Sequence, residues 1–221
     1  MLFKLRTKYK LKHQKPIGIE TEWIDKASLE GLINDIESNQ KYTEIEIEDE
    51  MNQYWPIKEY NKLAQQTASL PKNPVIYFDG GFDFHTNTTS IGVVIYYEQK
   101  NEKFRLRANA ELDRFTSNKE AEYIALFQAC NYLAELGIKQ TVCTIKGDAK
   151  GLLKQLQGEW PSYDEQLNRW LDRIEEKINQ LQLKTHIEVI DRTENKEAHH
   201  LATQALKGIQ IYSLTTSEKD E

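Results

Sequence analysis

The sequence predicts an α/β fold, a mixed sheet covered by helices, preceded by a small α+β module. Three observations carry that prediction. From Val75 onwards the chain reads strand, strand, strand, helix, strand, two helices, strand, helix, an order that gives a mixed sheet with helical cover. The run "NKEAEYIALFQACNYLAELG" (118–137) has helical composition but is apolar almost all round, so it must be buried on more than one side. Before residue 65 the pattern differs: short segments alternate between charged and apolar residues around a single helix.

The N-terminal module is expected at 1–65, with strands at 2–12 and 17–24, a helix at 27–38, a strand at 43–49, and a strand or short helix at 54–65. Phe3, Leu5, Tyr9 and Leu11 fall on one side of the first strand; Lys4, Arg6, Lys8, Lys10 and Lys12 fall on the other. Leu29, Leu32, Ile33 and Ile36 have helical spacing. In "YTEIEIED" the isoleucines alternate with glutamates, so this acidic strand can pair with the basic one. The basic face reads either as a solvated sheet surface or as a nucleic-acid contact, and the acidic stretch as a possible protein contact. "QQTASLPKNP", polar with two prolines, is expected as a linker over 66–73.

The main domain is expected over 74–210. "VIYFDGG" is a buried strand ending in Asp79. "TSIGVVIYYE" and "KFRLRANAEL" form a hairpin through a polar turn. After the buried helix, which Gly137 ends, "QTVCTIKGD" is a strand closing on Asp148. "KGLLKQLQGEW" and "YDEQLNRWLDRIEEKINQL" are helices joined by a tight connection containing Pro161. "THIEVID" is the last strand and 196–207 the last helix, with Asn195 at its N-cap. Residues 211–221 are expected as a flexible tail.

Composition narrows the function classes. The 221 residues are 39% hydrophobic with four tryptophans, enough for a core. No apolar run reaches the roughly 20 residues of a membrane span, and the N-terminus lacks a signal-peptide apolar region. Cys130 and Cys143 give neither a disulfide framework nor a metal-site spacing. No membrane association and a reducing, cytoplasmic setting are the expectation. A net charge of −6 argues against coating nucleic acid through bulk charge, not against a local surface or a divalent-cation site.

Chemistry gathers on a few acids. Asp79 closes a core strand and is followed by Gly80 and Gly81, which let a backbone or a substrate come close. Asp148 closes another strand, and strand ends are where sites form in α/β sheets. Glu122 lies early on the buried helix, where a carboxylate is costly unless paired or bound to a cation. Each has a bland reading as turn or cap residue. Together they form an oxygen-rich set suited to Mg²⁺ and to two-metal phosphodiester hydrolysis.

Four segments in series, "YFDGG", "SNKEAEYIAL", "GDAKGLLKQLQGEW" and "RTENKEAHHLATQAL", resemble the ribonuclease H family, type 1, across about 74–207. The resemblance implies a five-stranded sheet in the order 3-2-1-4-5 with helices on both faces. It implies an endonuclease that uses two Mg²⁺ or Mn²⁺ ions to hydrolyse the RNA strand of an RNA–DNA hybrid. By position, Asp79, Glu122 and Asp148 match three metal-holding catalytic carboxylates, and Glu120 reads as a solvated neighbour. Asn118 matches an asparagine near the hybrid backbone, where an amide suits a 2′-hydroxyl, while Gly80 and Gly81 are expected on the substrate side from the close approach that glycine allows.

The chain also departs from the family. His199 stands where the fourth carboxylate belongs, Ala149 where a serine is frequent, and no room is left for a basic protrusion. Helical phasing puts His199 at the edge of the buried stripe formed by Ala198, Leu201, Ala202, Ala205 and Leu206, and His200 towards solvent. Two readings of His199 stay open. It is a nitrogen ligand that favours Mn²⁺ over Mg²⁺, or it marks a catalytically inactive domain that binds nucleic acid without cutting it.

Overall fold

The structure, a computed structural model, describes residues 2–112 and 117–216. It divides into two compact units, Met1–Thr67 and Ala68–Glu221. No helix among the described residues is long and apolar enough to cross a membrane.

In the first unit, β1 (Leu2–Tyr9), β2 (Ile17–Glu20), β3 (Ile24–Asp25), β4 (Tyr42–Asp49) and β5 (Tyr54–Pro56) form one antiparallel sheet. The main strand order is β2-β1-β4-β5, with β3 also paired to β1. Helix α1 (Lys26–Glu37) starts where the Asp25 carboxylate accepts from the Ser28 N–H at 2.8 Å. The ambiguous stretch after residue 54 resolves into β5 and helix α2 (Ile57–Ala68). Phe3, Leu5, Leu29, Ile33, Ile36, Ile47 and Tyr60 make this unit's own core. The basic and acidic strands do pair: Lys4 lies opposite Glu48, and Arg6 opposite Glu46.

The expected linker over 66–73 is shorter than its composition suggests. Only residues 69–71 lie outside helix and strand, because Gln65, Gln66 and Ala68 continue α2 until Pro71 forbids it. Pro74 sits inside the next strand, where a register shift between Lys72 and Val75 spares it a ladder hydrogen bond.

The second unit contains β6 (Lys72–Asp83), β7 (Thr88–Gln99), β8 (Glu102–Leu112), α3 (Asn118–Glu135), β9 (Val142–Gly147), α4 (Lys150–Leu156), α5 (Glu165–Gln180), β10 (Lys184–Val189), α6 (Lys196–Ala205) and β11 (Tyr212–Thr216). The sheet order β10-β9-β6-β7-β8-β11 contains the anticipated 3-2-1-4-5 arrangement, with β9 and β10 parallel to β6 and the β6–β7–β8 meander antiparallel. The sixth strand corrects one expectation. Residues 212–216, expected in the flexible tail, pair antiparallel with β8 from Tyr212 opposite Ala108 to Thr216 opposite Phe104. A strand with half-buried Phe104 and buried Leu106 would otherwise leave a long open edge. The remainder of that tail, 217–221, lies outside the described residues.

Alternation along the central strands sends side chains to two layers. Ile91, Val93 and Ile95 of β7 face the core formed with α3 and α5; Val94 faces α6 with Ala198 and Leu201. Residues 157–164 join α4 to α5 with no intervening helix.

Candidate active site

Asp79 sits near the middle of β6, buried at 8% exposure. The next residue explains its neighbours. A Cβ at Gly80 would lie 2.5 Å from the Glu122 amide nitrogen and 2.6 Å from the Ala121 carbonyl carbon, so only glycine lets α3 press its backbone onto β6 there. That contact brings Glu122 beside Asp79. The close approach expected at Gly80 is therefore taken up by the protein's own helix and not left open for a substrate. At Gly81 a Cβ would meet the Ser90 hydroxyl at 2.5 Å, again a packing constraint.

Asp148 follows β9. Its carboxylate accepts from Asn195 Nδ2 at 2.7 Å, and the same amide donates to the Phe78 carbonyl at 2.9 Å. Asn195 is 1% exposed. It does occupy the N-cap position of α6, but its side chain makes no capping bond; it ties the start of α6 to the end of β9 and to β6. One turn on, His199 Nδ1 lies 2.8 Å from Asp79 Oδ2. Arg192 Nη2 approaches both ring nitrogens of His199 at 3.3 Å. His200 is exposed. Glu197 points elsewhere, accepting from the Tyr96 hydroxyl at 2.9 Å and pairing with Arg107 at 2.9 Å.

Asn195 and Arg192 were not singled out by sequence reasoning as site residues. The one looked like a helix cap and the other like loop charge. Asn118 is exposed on the first turn of α3, after the N-cap Ser117. Ala149 is buried and offers no side-chain cap to α4.

Glu120 requires a correction. Expected as a solvated neighbour, it is 2% exposed and accepts from Gln166 Nε2 at 2.6 Å and Trp170 Nε1 at 3.1 Å. Helix α3 packs on the sheet with one face and on α5 with another, and Glu120 lies on the α5 side. Its charge is met by donors from α5, a structural role.

The acids repel one another. Burial, then the charges of Asp79 and Asp148, push the Glu122 carboxyl up from its ordinary 4.5 to about 7, with Lys119 and Arg192 opposing. Burial raises Asp79 as well, against the hydrogen bond from His199. A group whose folded pKa is raised binds more protons in the folded state. Its contribution is present at low pH and is lost as pH rises through about 7. Without divalent cations the protein should melt lower at about pH 8 than at about pH 5.5. Glu122→Gln should recover up to about 2 kcal/mol of that difference, a few degrees in Tm. Equal pH dependence in variant and wild type would show that Glu122 carries no such strain.

That repulsion is also the test of whether a divalent cation fits. Among the described residues no three His, Cys, Asp or Glu side chains are already closed around one ion position. The donor set nonetheless suits a hard cation: carboxylate oxygens from β6, α3 and the end of β9, two of them strained by mutual charge.

Comparison with known proteins agrees with this fold. A family model described as reverse transcriptase-like matches residues 77–205. The chain belongs to this ribonuclease H-like family. An uncharacterized protein of Bacillus subtilis (strain 168), YpeP, is 40% identical over 177 residues, covering 80% of this chain and 78% of the relative. RNase H1 of the halophilic archaeon Halobacterium salinarum NRC-1 superposes with a TM-score of 0.53 at 26% identity, over 62% of this chain and 99% of that one. LC11-RNase H1, solved in complex with RNA/DNA hybrid, gives 0.54 at 24% identity over 62% and 98%, a likeness of fold. The type 1 ribonuclease H fold thus holds for the second unit of the chain.

Proposed function

We propose that this chain is a divalent-metal-dependent endonuclease that hydrolyses the RNA strand of RNA–DNA hybrids. The observation that carries the reading is the convergence of Asp79, Glu122 and Asp148, from three separate elements, into one mutually repelling set. Asp79, Glu122 and Asp148 would hold Mg²⁺ or Mn²⁺, two ions in all, with His199 as the fourth donor. A bound divalent cation supplies Lewis-acid stabilisation of charge on the scissile phosphate and on the departing 3′ oxygen. The chain's own part is positioning. Asn195 fixes Asp148 through Oδ1, and the backbone contact at Gly80 fixes Glu122 relative to Asp79. Asn118 offers an exposed amide to the 2′-hydroxyl that distinguishes RNA from DNA.

A second reading, a ribonuclease H-like protein that binds hybrid without cutting it, is favoured by one observation. His199 engages Asp79 directly and Arg192 approaches His199, so the site holds a cation of its own beside three acids where the family places four carboxylates. A cleavage assay with hybrid, double-stranded RNA and double-stranded DNA, in Mg²⁺ and in Mn²⁺, separates the two. Cutting of the RNA strand is expected, faster in Mn²⁺, because imidazole nitrogen suits Mn²⁺ better than Mg²⁺. His199→Asp should then shift the Mg²⁺-to-Mn²⁺ rate ratio towards Mg²⁺ by roughly tenfold, about 1.4 kcal/mol. An unchanged ratio removes His199 from the donor set. Hybrid binding with no cutting in either metal establishes the second reading.

A further inference from the structure

The cations of β1 and of the loop that follows it fall into two groups. Those within the sheet are neutralised: Lys4 and Arg6 meet Glu20 at 3.0 and 2.8 Å, Arg6 also meets Glu48 at 2.8 Å, and Lys8 meets Glu44 at 2.5 Å. The basic strand face anticipated as a nucleic-acid contact is therefore largely cancelled by its own sheet. Beyond Tyr9 the situation reverses. Residues 10–16, "KLKHQKP", join β1 to β2 and carry Lys10, Lys12, His13 and Lys15 with no acid. All four are exposed, and among the described residues Lys10, Lys12 and Lys15 have no ion-pair partner.

Lys41 joins the same cluster. The Lys10 N–H donates to the Lys41 carbonyl at 2.7 Å, and the Lys41 ammonium stands 5.8 Å from the centre of the Tyr9 ring. Tyr9 and Tyr42 pack edge to face at 5.2 Å as opposite residues at the end of the β1–β4 ladder. Both rings are half-buried. In a chain of net charge −6, four exposed lysines beside an aromatic pair make a concentrated positive surface.

We propose that the 10–16 loop, with Lys41, binds the phosphate backbone of nucleic acid independently of sequence. Several unpaired cations close together suit a polymer with closely spaced charges, whose condensed counterions they release. The tyrosine pair adds flat surface against sugar or base. The loop's own large apolar side chain, Leu11, is half-buried, whereas Ile17 and Ile19 stand exposed on β2 beside the lysines, so an anionic membrane is the competing occupant that the vesicle arm of the test distinguishes. The choice of nucleic acid among polyanions leans on the proposed function; the charge geometry does not.

The test uses the full chain carrying Asp79→Asn, without divalent cations so that the strand stays intact. Binding of a labelled RNA–DNA hybrid is followed by fluorescence anisotropy across a salt series, and compared with the same chain bearing K10Q, K12Q, K15Q and K41Q. The slope of log K against log salt should flatten by about 3 to 4, and affinity near 0.1 M salt should fall at least about tenfold. An unchanged melting temperature shows that the substitutions leave the fold intact. Equal slopes and affinities overturn the proposal. So does a four-lysine effect confined to phosphatidylserine vesicles, with hybrid binding untouched. If the wild-type chain cuts no substrate while the four-lysine variant still loses hybrid binding, the nuclease reading falls and the loop assignment stands.

Discussion

Asp79→Asn is expected to reduce hybrid cleavage on the order of 10³-fold or more, while binding of uncut hybrid is largely retained. The size follows from position. Asp79 lies on β6, which pairs with β9, the strand before Asp148, and packs against α3, which bears Glu122; its carboxylate also contacts His199. Charge stabilisation by bound cations contributes several kcal/mol to phosphodiester hydrolysis, and each 1.36 kcal/mol is tenfold in rate. An amide keeps the shape of the side chain and removes its charge, so burial at 8% exposure costs no new cavity. The protein should fold normally, and relief of repulsion on Glu122 should make it slightly more stable above about pH 7. Turnover within tenfold of wild type, in either Mg²⁺ or Mn²⁺, would place the chemistry elsewhere.

Much of this geometry was legible because it follows from local pattern. Asp148 follows a strand-ending glycine and does stand at the end of β9, whereas Asp79, expected at the end of its strand, lies within β6, which runs on through the two glycines to Asp83. The resemblance to ribonuclease H then supplied the sheet order, which the topology contains. What escaped depends on which helix covers which face. Helix α3 is apolar nearly all round, so its sequence carries no phase from which to tell that Glu120 turns to α5 while Glu122 turns towards Asp79. Asn195 meets Asp148 across 47 residues and Phe78 across 117, separations that no local window covers. Residues 212–216 are short and mostly polar, and become a strand only because β8 presents an edge for them.

Gly92→Ala should damage the fold more than any surface change and should carry the site with it. The residue reads as an ordinary strand glycine between Ile91 and Val93. In the structure it faces α6, and an added Cβ would lie 2.1 Å from the Ala198 carbonyl oxygen and 2.6 Å from the Ala202 amide nitrogen. Both are backbone atoms in the middle of a helix, so no side-chain rotation can relieve the clash; α6 as a whole must retreat from β7. A retreat loosens both ties that this helix makes to the site, Asn195 to Asp148 and His199 to Asp79. Overpacking of this kind costs about 3 kcal/mol, or a fall of roughly 6–12 °C in Tm for a chain of this size. Gly151→Ala is the matched control: it lies in α4, exposed, with nothing within 4 Å of the added carbon. There the methyl should instead stabilise by about 0.5–1 kcal/mol, the ordinary helical preference for alanine. Paired thermal melts followed by circular dichroism read both effects, and a Gly92→Ala melt within about 2 °C of wild type would show that α6 is not seated on β7 as described. If the melt falls as stated, cleavage should fall with it even at temperatures where the variant is folded, because both anchoring contacts start from the displaced helix.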